Sequence, residues 1–146
     1  MAGELSVDAL QDQLQAYVNC LELCRALYKP VKKPYARQAL AVLIEDLQDS
    51  MLSLSGLERQ HGAAPGALEV DRQGQAAMRD ALGTRSLAKQ LLAVRHSLAD
   101  LAAWYAQHLT AVEDDPAARE ALSSLSEAAR GMVAEWDRQV GQGLDR

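Results

Sequence analysis

The sequence predicts an all-α fold: an antiparallel four-helix bundle built from two helical hairpins, with a long crossover between helices 2 and 3. Three observations carry this. All four prolines, Pro30, Pro34, Pro65 and Pro116, fall between apolar-periodic stretches and never inside one, where a proline would break the helix. Alanine and leucine dominate, phenylalanine is absent and Ile44 is the single isoleucine, a bias away from the β-branched and aromatic residues that strands favour. The breakers leave two short turns separated by a connector over residues 62–85. That is the spacing of a bundle with one long crossover.

Helix 1 is expected over about 7–28, with Ser6 as N-cap and Asp8 in the first turn, where an acceptor and a negative charge suit the exposed N–H groups. Leu10, Leu14, Tyr17, Val18, Leu21 and Tyr28 form one apolar stripe at helical spacing. Arg25 lies on that stripe, its stem covering apolar surface while its head reaches solvent or a carboxylate. The turn Lys29-Pro-Val-Lys-Lys-Pro34 leads to helix 2, about 35–61, with an apolar face of Ala36, Leu40, Leu43, Leu47, Ser50, Leu54 and Leu57 and a stop at Gly62. The connector leaves room for a short helix over Leu68 to Leu82, against which Gly74 and Gly83 weigh.

Helix 3 is expected over about 86–112, with rows Leu87, Val94, Leu101, His108 and Leu91, Leu98, Tyr105, Val112. Helix 4 opens at Asp115-Pro116, an N-cap followed by a first-turn proline, and runs to about 141. Its core row is Ala118, Leu122, Leu125, Ala129, Met132, Val133, Trp136 and Val140. The connector is long enough for helix 3 to run parallel to helix 2.

With 146 residues, the chain reads as one domain, 1–146. A net charge of −5 argues against a nucleic-acid partner. No apolar run approaches transmembrane length, so membrane insertion is not expected. The start Met-Ala-Gly-Glu-Leu-Ser lacks the basic and apolar regions of a signal peptide, which makes cytoplasmic the expected location. Cys20 and Cys24 lie one helical turn apart. They read as free, partly buried thiols, with a two-cysteine metal or redox site as the alternative.

Two hairpins joined by a crossover resemble the ferritin-like superfamily over nearly the whole chain. That resemblance implies a di-iron centre with one Glu each from helices 1 and 3 and a Glu-x-x-His from helices 2 and 4. The chain carries one such motif, Glu58-Arg59-Gln60-His61, while helix 4 offers only Glu127-x-x-Arg130 and Glu135-x-x-Arg138. A paired di-iron oxidase centre is therefore not expected. What remains is a single divalent ion held by Glu58, His61 and His108, beside Glu4, Asp8, Glu113, Asp114, Asp115 and Glu120.

No hydrolase constellation or phosphate-binding glycine loop is present in the sequence. The leading expectation is a non-enzymatic interaction or scaffold protein, self-associating or binding a protein partner. The alternative is a divergent ferritin-like metal-binding protein of iron handling or stress response. The residues marked for a partner surface are Lys29, Lys32, Lys33, Arg37 and Trp104. His96, Asp100 and Trp104 mark one flank of helix 3 as a further patch.

Overall fold

The computed structural model describes residues 5–62 and 68–144, and they are helical almost throughout, with no strand among them. The elements are α1 (Val7–Tyr28), α2 (Pro34–Gln60), α3 (Arg72–Gly83), α4 (Leu87–His108), a 3-10 turn over Leu109–Val112, and α5 (Pro116–Leu144). The all-α expectation holds, but among the described residues the α-helices number five rather than four. Among the described residues, no helix is long and apolar enough to cross a membrane.

The additional helix forms inside the connector. Asp71 caps α3, accepting from the Gly74 N–H at 2.9 Å, which satisfies one of the unpaired donors of a helix start. The two glycines set against a helix there have other roles. Gly83 is its last residue. Gly74 sits where a Cβ would stand 2.5 Å from Asn19 Cγ and 2.6 Å from Val70 Cγ1, so the absent side chain allows α3 to lie close on α1. Pro65 and Gly66 lie outside the described residues.

Elsewhere the sequence boundaries fall near the observed ones because caps mark them. Ser6 Oγ accepts from Ala9 N at 3.0 Å and Ser86 Oγ from Lys89 N at 3.2 Å. Asp115 Oδ1 accepts from Ala118 N at 3.2 Å ahead of the α5 start. Gly62 takes φ +88° just past the His61 C-cap of α2, a conformation that favours glycine and ends the helix. Two boundaries differ. The regular part of helix 3 stops at His108 and its final turn tightens into the 3-10 segment. α5 runs on to Leu144, its Gly143 lying against the Tyr35 ring so closely that a Cβ would not fit.

α1 packs against α2, α3 and α4, and α5 packs against α2 and α4. Gln13 meets Leu101 and Cys20 meets Ser97, so residue numbers rise along α1 as they fall along α4. The same opposed numbering holds for α2 and α5, where Gly143 lies on Tyr35 and Glu135 lies near Asp46. Because α1 has three neighbours, it is buried well beyond its expected stripe: Gln13, Cys20, Leu23, Cys24 and Leu27 join the core. Each fully buried leucine contributes roughly 1.5–3 kcal/mol of transfer free energy.

Candidate functional site

Polar groups run through the centre of the core between α1, α2 and α4. The Tyr17 and Tyr105 hydroxyls share a hydrogen bond of 2.6 Å. Gln13 Nε2 donates to the Leu101 carbonyl at 3.0 Å, and the Gln13 side chain also bonds Tyr105. Ser50 reaches Tyr17, which explains a serine at the centre of the α2 apolar face. Burial is the main cause that pushes the Tyr17 phenol far above its ordinary range, with Tyr105 beside it adding to the effect. Burial also raises Tyr105. Both rings therefore stay protonated and bind the helices together.

One turn along α1, Cys20 and Cys24 are free and fully buried, not partly buried as expected. Their side chains hydrogen-bond to each other, and Ser97 bonds Cys20. The bond to Cys20, then burial, holds Cys24 as a neutral thiol, whereas Cys24 and Ser97 act as donors that lower Cys20.

Above this centre, α1, α3 and α4 enclose an open groove of about 630 Å³. Its floor is Ala16, Asn19 and Leu23. Gly74, Ala77 and Asp80 form one bank, and Lys89, His96, Ser97 and Asp100 the other. Asn19 ties the α3 bank down: its Nδ2 donates to Asp71 Oδ1 at 2.9 Å, and its Oδ1 accepts from the Asp71 N–H at 3.3 Å. Gly74→Ala drives a methyl into this clamp. The expected cost is about 1–3 kcal/mol, with amide exchange speeding up in α3 more than in α1. Unchanged stability and exchange in that variant would contradict the docking of α3 described here.

Residues marked from the sequence are not all brought together. Among the described residues, no group of three or more His, Cys, Asp or Glu side chains is placed to hold a metal ion. Glu58, His61 and His108 are thus not assembled into the expected divalent site, and Glu4 lies outside the described residues. Each imidazole instead turns back onto its own helix: His61 Nδ1 donates to the Leu57 carbonyl at 3.0 Å, and His108 Nδ1 to the Trp104 carbonyl at 2.8 Å. The His108 ring also stacks on Trp104 with centroids 4.0 Å apart. Glu58 is buried at 1% exposure, neither carboxylate oxygen has a hydrogen-bond partner among the described residues, and burial raises its carboxyl above its ordinary value.

The basic turn is partly committed to its own structure. Arg37 Nη1 donates to the carbonyls of Tyr28 at 2.6 Å and Val31 at 3.1 Å, and its guanidinium lies 4.1 Å above the Tyr28 ring. Arg37 is therefore a clamp on the α1–α2 turn rather than a free partner residue. Lys32 Nζ bonds the Lys29 carbonyl at 3.2 Å, and Lys29, Lys32 and Lys33 are exposed. Trp104 stands apart from them. The Gln13–Leu101 contact places it beside the start of α1, whereas Lys29 follows the end of that helix, roughly 24 Å away at 1.5 Å per residue.

The feature that sequence reasoning only touched is the flank of α4 that borders this groove. Lys89, Leu92, His96 and Asp100 are exposed along it, Arg85 is exposed just ahead of the Ser86 N-cap, and Trp104 is half-buried at the far end. Leu92, at 52% exposure, falls off both apolar rows, and that departure was the available signal. No family model matches the chain, and no curated protein or solved structure matches it.

Proposed function

We propose that the chain is a non-catalytic helical interaction protein that self-associates through the α4 flank bordering the groove. The observation that carries this reading is the order of side chains along that flank: Arg85, Lys89, Leu92, His96, Asp100, Trp104. Two copies packed antiparallel about a two-fold axis at the middle of α4 set Lys89 against the partner's Asp100. Further out, Arg85, just ahead of the Ser86 N-cap, faces the partner's Trp104. The first contact is an ion pair and the second a cation–π contact, and the symmetry makes each twice. Leu92 lies near the axis, beside half-buried Ala93 and Ser97. A surface complementary to itself in charge favours a second copy as its occupant.

The reading extends to architecture. We take α1, α2, α4 and α5 as an antiparallel bundle of ferritin-like layout, with α3 carried in the crossover. The opposed numbering between α1 and α4 and between α2 and α5 supports it. The divalent-ion reading is not carried forward, because its three ligands are not assembled.

A single helix flank gives an interface at the small end of the known range, below about 1,200 Å², so the dimer is expected to be weak. Sedimentation equilibrium of the intact chain from about 10 µM to about 1 mM spans binding free energies near −7 to −4 kcal/mol. The expected result is reversible growth from the 15.8 kDa monomer toward twice that mass, diminished by added salt. A monomer at every concentration rejects the reading.

A further inference from the structure

The buried thiol pair lies beneath the α4 flank, next to Ser97, and its geometry suits a purpose of its own. Cys20 and Cys24 are both 0% exposed, their side chains are in hydrogen-bond contact, and Ser97 bonds Cys20. On a regular helix, Cβ atoms one turn apart stand about 5–6 Å from each other. A disulfide needs about 3.8 Å, so closing one here would distort α1. A linear thiolate–metal–thiolate unit spans about 4.6 Å between sulfurs, twice a metal–thiolate bond of about 2.3 Å. Side-chain rotation alone can supply that span.

We propose that Cys20 and Cys24 form a two-coordinate site for one soft monovalent metal ion of the Cu(I) class. The ligand chemistry selects it. Thiolates prefer soft ions, and a tetrahedral zinc site requires four ligands, whereas among the described residues no third metal-binding side chain joins the pair. Binding replaces two S–H bonds with two S–Cu bonds. Two protons leave to solvent, no electron is transferred, and the bis-thiolate unit carries one negative charge. The Ser97 hydroxyl beside Cys20 stabilises that charge by donating a hydrogen bond. Ser97 and Leu23 also line the groove between α1, α3 and α4, so the thiols lie one side chain beneath an open surface and the ion has a short way in.

The test is an anaerobic titration of the reduced, intact chain with Cu(I) held by a chromophoric chelator. The expected result is one Cu(I) withdrawn per chain, a thiolate-to-copper charge-transfer band, and an X-ray absorption spectrum with two sulfur ligands. Cys20→Ser and Cys24→Ser each lower the affinity at least 100-fold, with helicity checked by circular dichroism. Should a serine variant unfold, the sulfur count in the unaltered chain decides. The proposal is overturned if Cu(I) stays with the chelator, if its ligands are nitrogen or oxygen, or if a folded single-serine variant binds as the unaltered chain does.

Discussion

Replacing Tyr17 with alanine lowers the unfolding free energy by about 3–5 kcal/mol, the range for removing a large buried aromatic side chain. Tyr17 is 0% exposed and lies where α1, α2 and α4 meet, so its cavity cannot close by the movement of one helix. Phenylalanine separates the ring from its hydroxyl. Tyr17→Phe keeps the packing but removes one of the two partners of the Tyr105 hydroxyl, leaving Gln13, at an expected cost of about 1–3 kcal/mol. Tyr105→Phe likewise leaves the Tyr17 hydroxyl with Ser50 alone, at a similar cost. The double phenylalanine variant costs less than the sum, since each single change already removes the bond the two hydroxyls share. Urea denaturation of the three phenylalanine variants measures this. Additive losses would show that the 2.6 Å bond does not couple the two rings.

Glu58→Met stabilises the protein by about 1–3 kcal/mol near neutral pH, the desolvation cost of a buried polar group with no partner. Such a gain on deleting a charged residue is uncommon, and it follows from burial at 1% exposure with both oxygens unpaired. The pH dependence gives the sign independently. Burial raises the folded-state pKa of Glu58 above an unfolded value of about 4.3. The folded chain therefore holds this proton more tightly. The associated stability is fully present below the unfolded pKa and is lost as pH rises through the folded one.

The advantage of Glu58→Met is thus smallest near pH 4 and grows toward neutrality. Asp46, raised chiefly by burial and then by neighbouring carboxylates, acts in the same direction. Glu135, held down to about 2 by its hydrogen bonds to Arg138 and Gln139, acts in the opposite one. Both are common to the two proteins and cancel in the difference. Thermal melts of each protein at a series of pH values read that difference directly. A constant gap across pH would show that Glu58 does not carry a raised pKa.

Four of the five helices were legible because their signals are local. Ser6, Ser86 and Asp115 cap them, and Pro30, Pro34 and Pro116 mark where they cannot continue. The inward faces of α2 and α5 were legible for the same reason, since each has a single buried stripe. α3 was legible only as room for a short helix over Leu68 to Leu82, because Gly74 reads as a helix breaker until Asn19 and Val70 are seen to occupy the space of its side chain. Leaving it out of the bundle propagated. Without α3, α1 has two neighbours and one stripe. With it, α1 has three, and Gln13, Cys20 and Cys24 pass from its flanks into the core.

The candidate sites were harder to read because spacing along one helix says nothing about what another helix brings to meet it. Glu58-x-x-His61 looks like half a metal site in sequence. In the structure His61 bonds its own helix and Glu58 is enclosed without a hydrogen-bond partner among the described residues. Arg37 looks like an exposed cation, yet it closes the turn that precedes it. The α4 flank gave only a faint signal, Leu92 out of register with both apolar rows, because a surface complementary to a second copy looks like ordinary solvated sequence within one chain.

Sedimentation equilibrium of a charge-exchange series at Lys89 and Asp100 tests the proposed self-association most directly. Lys89→Asp alone sets like charges against each other twice across the two-fold, as does Asp100→Lys. Each is expected to weaken the dimer at least about tenfold, or 1.4 kcal/mol. The double exchange, Lys89→Asp with Asp100→Lys, restores opposite charges and should recover the dimer of the unaltered chain. If all four proteins follow one mass-action curve, the flank of α4 is not the surface through which this chain associates.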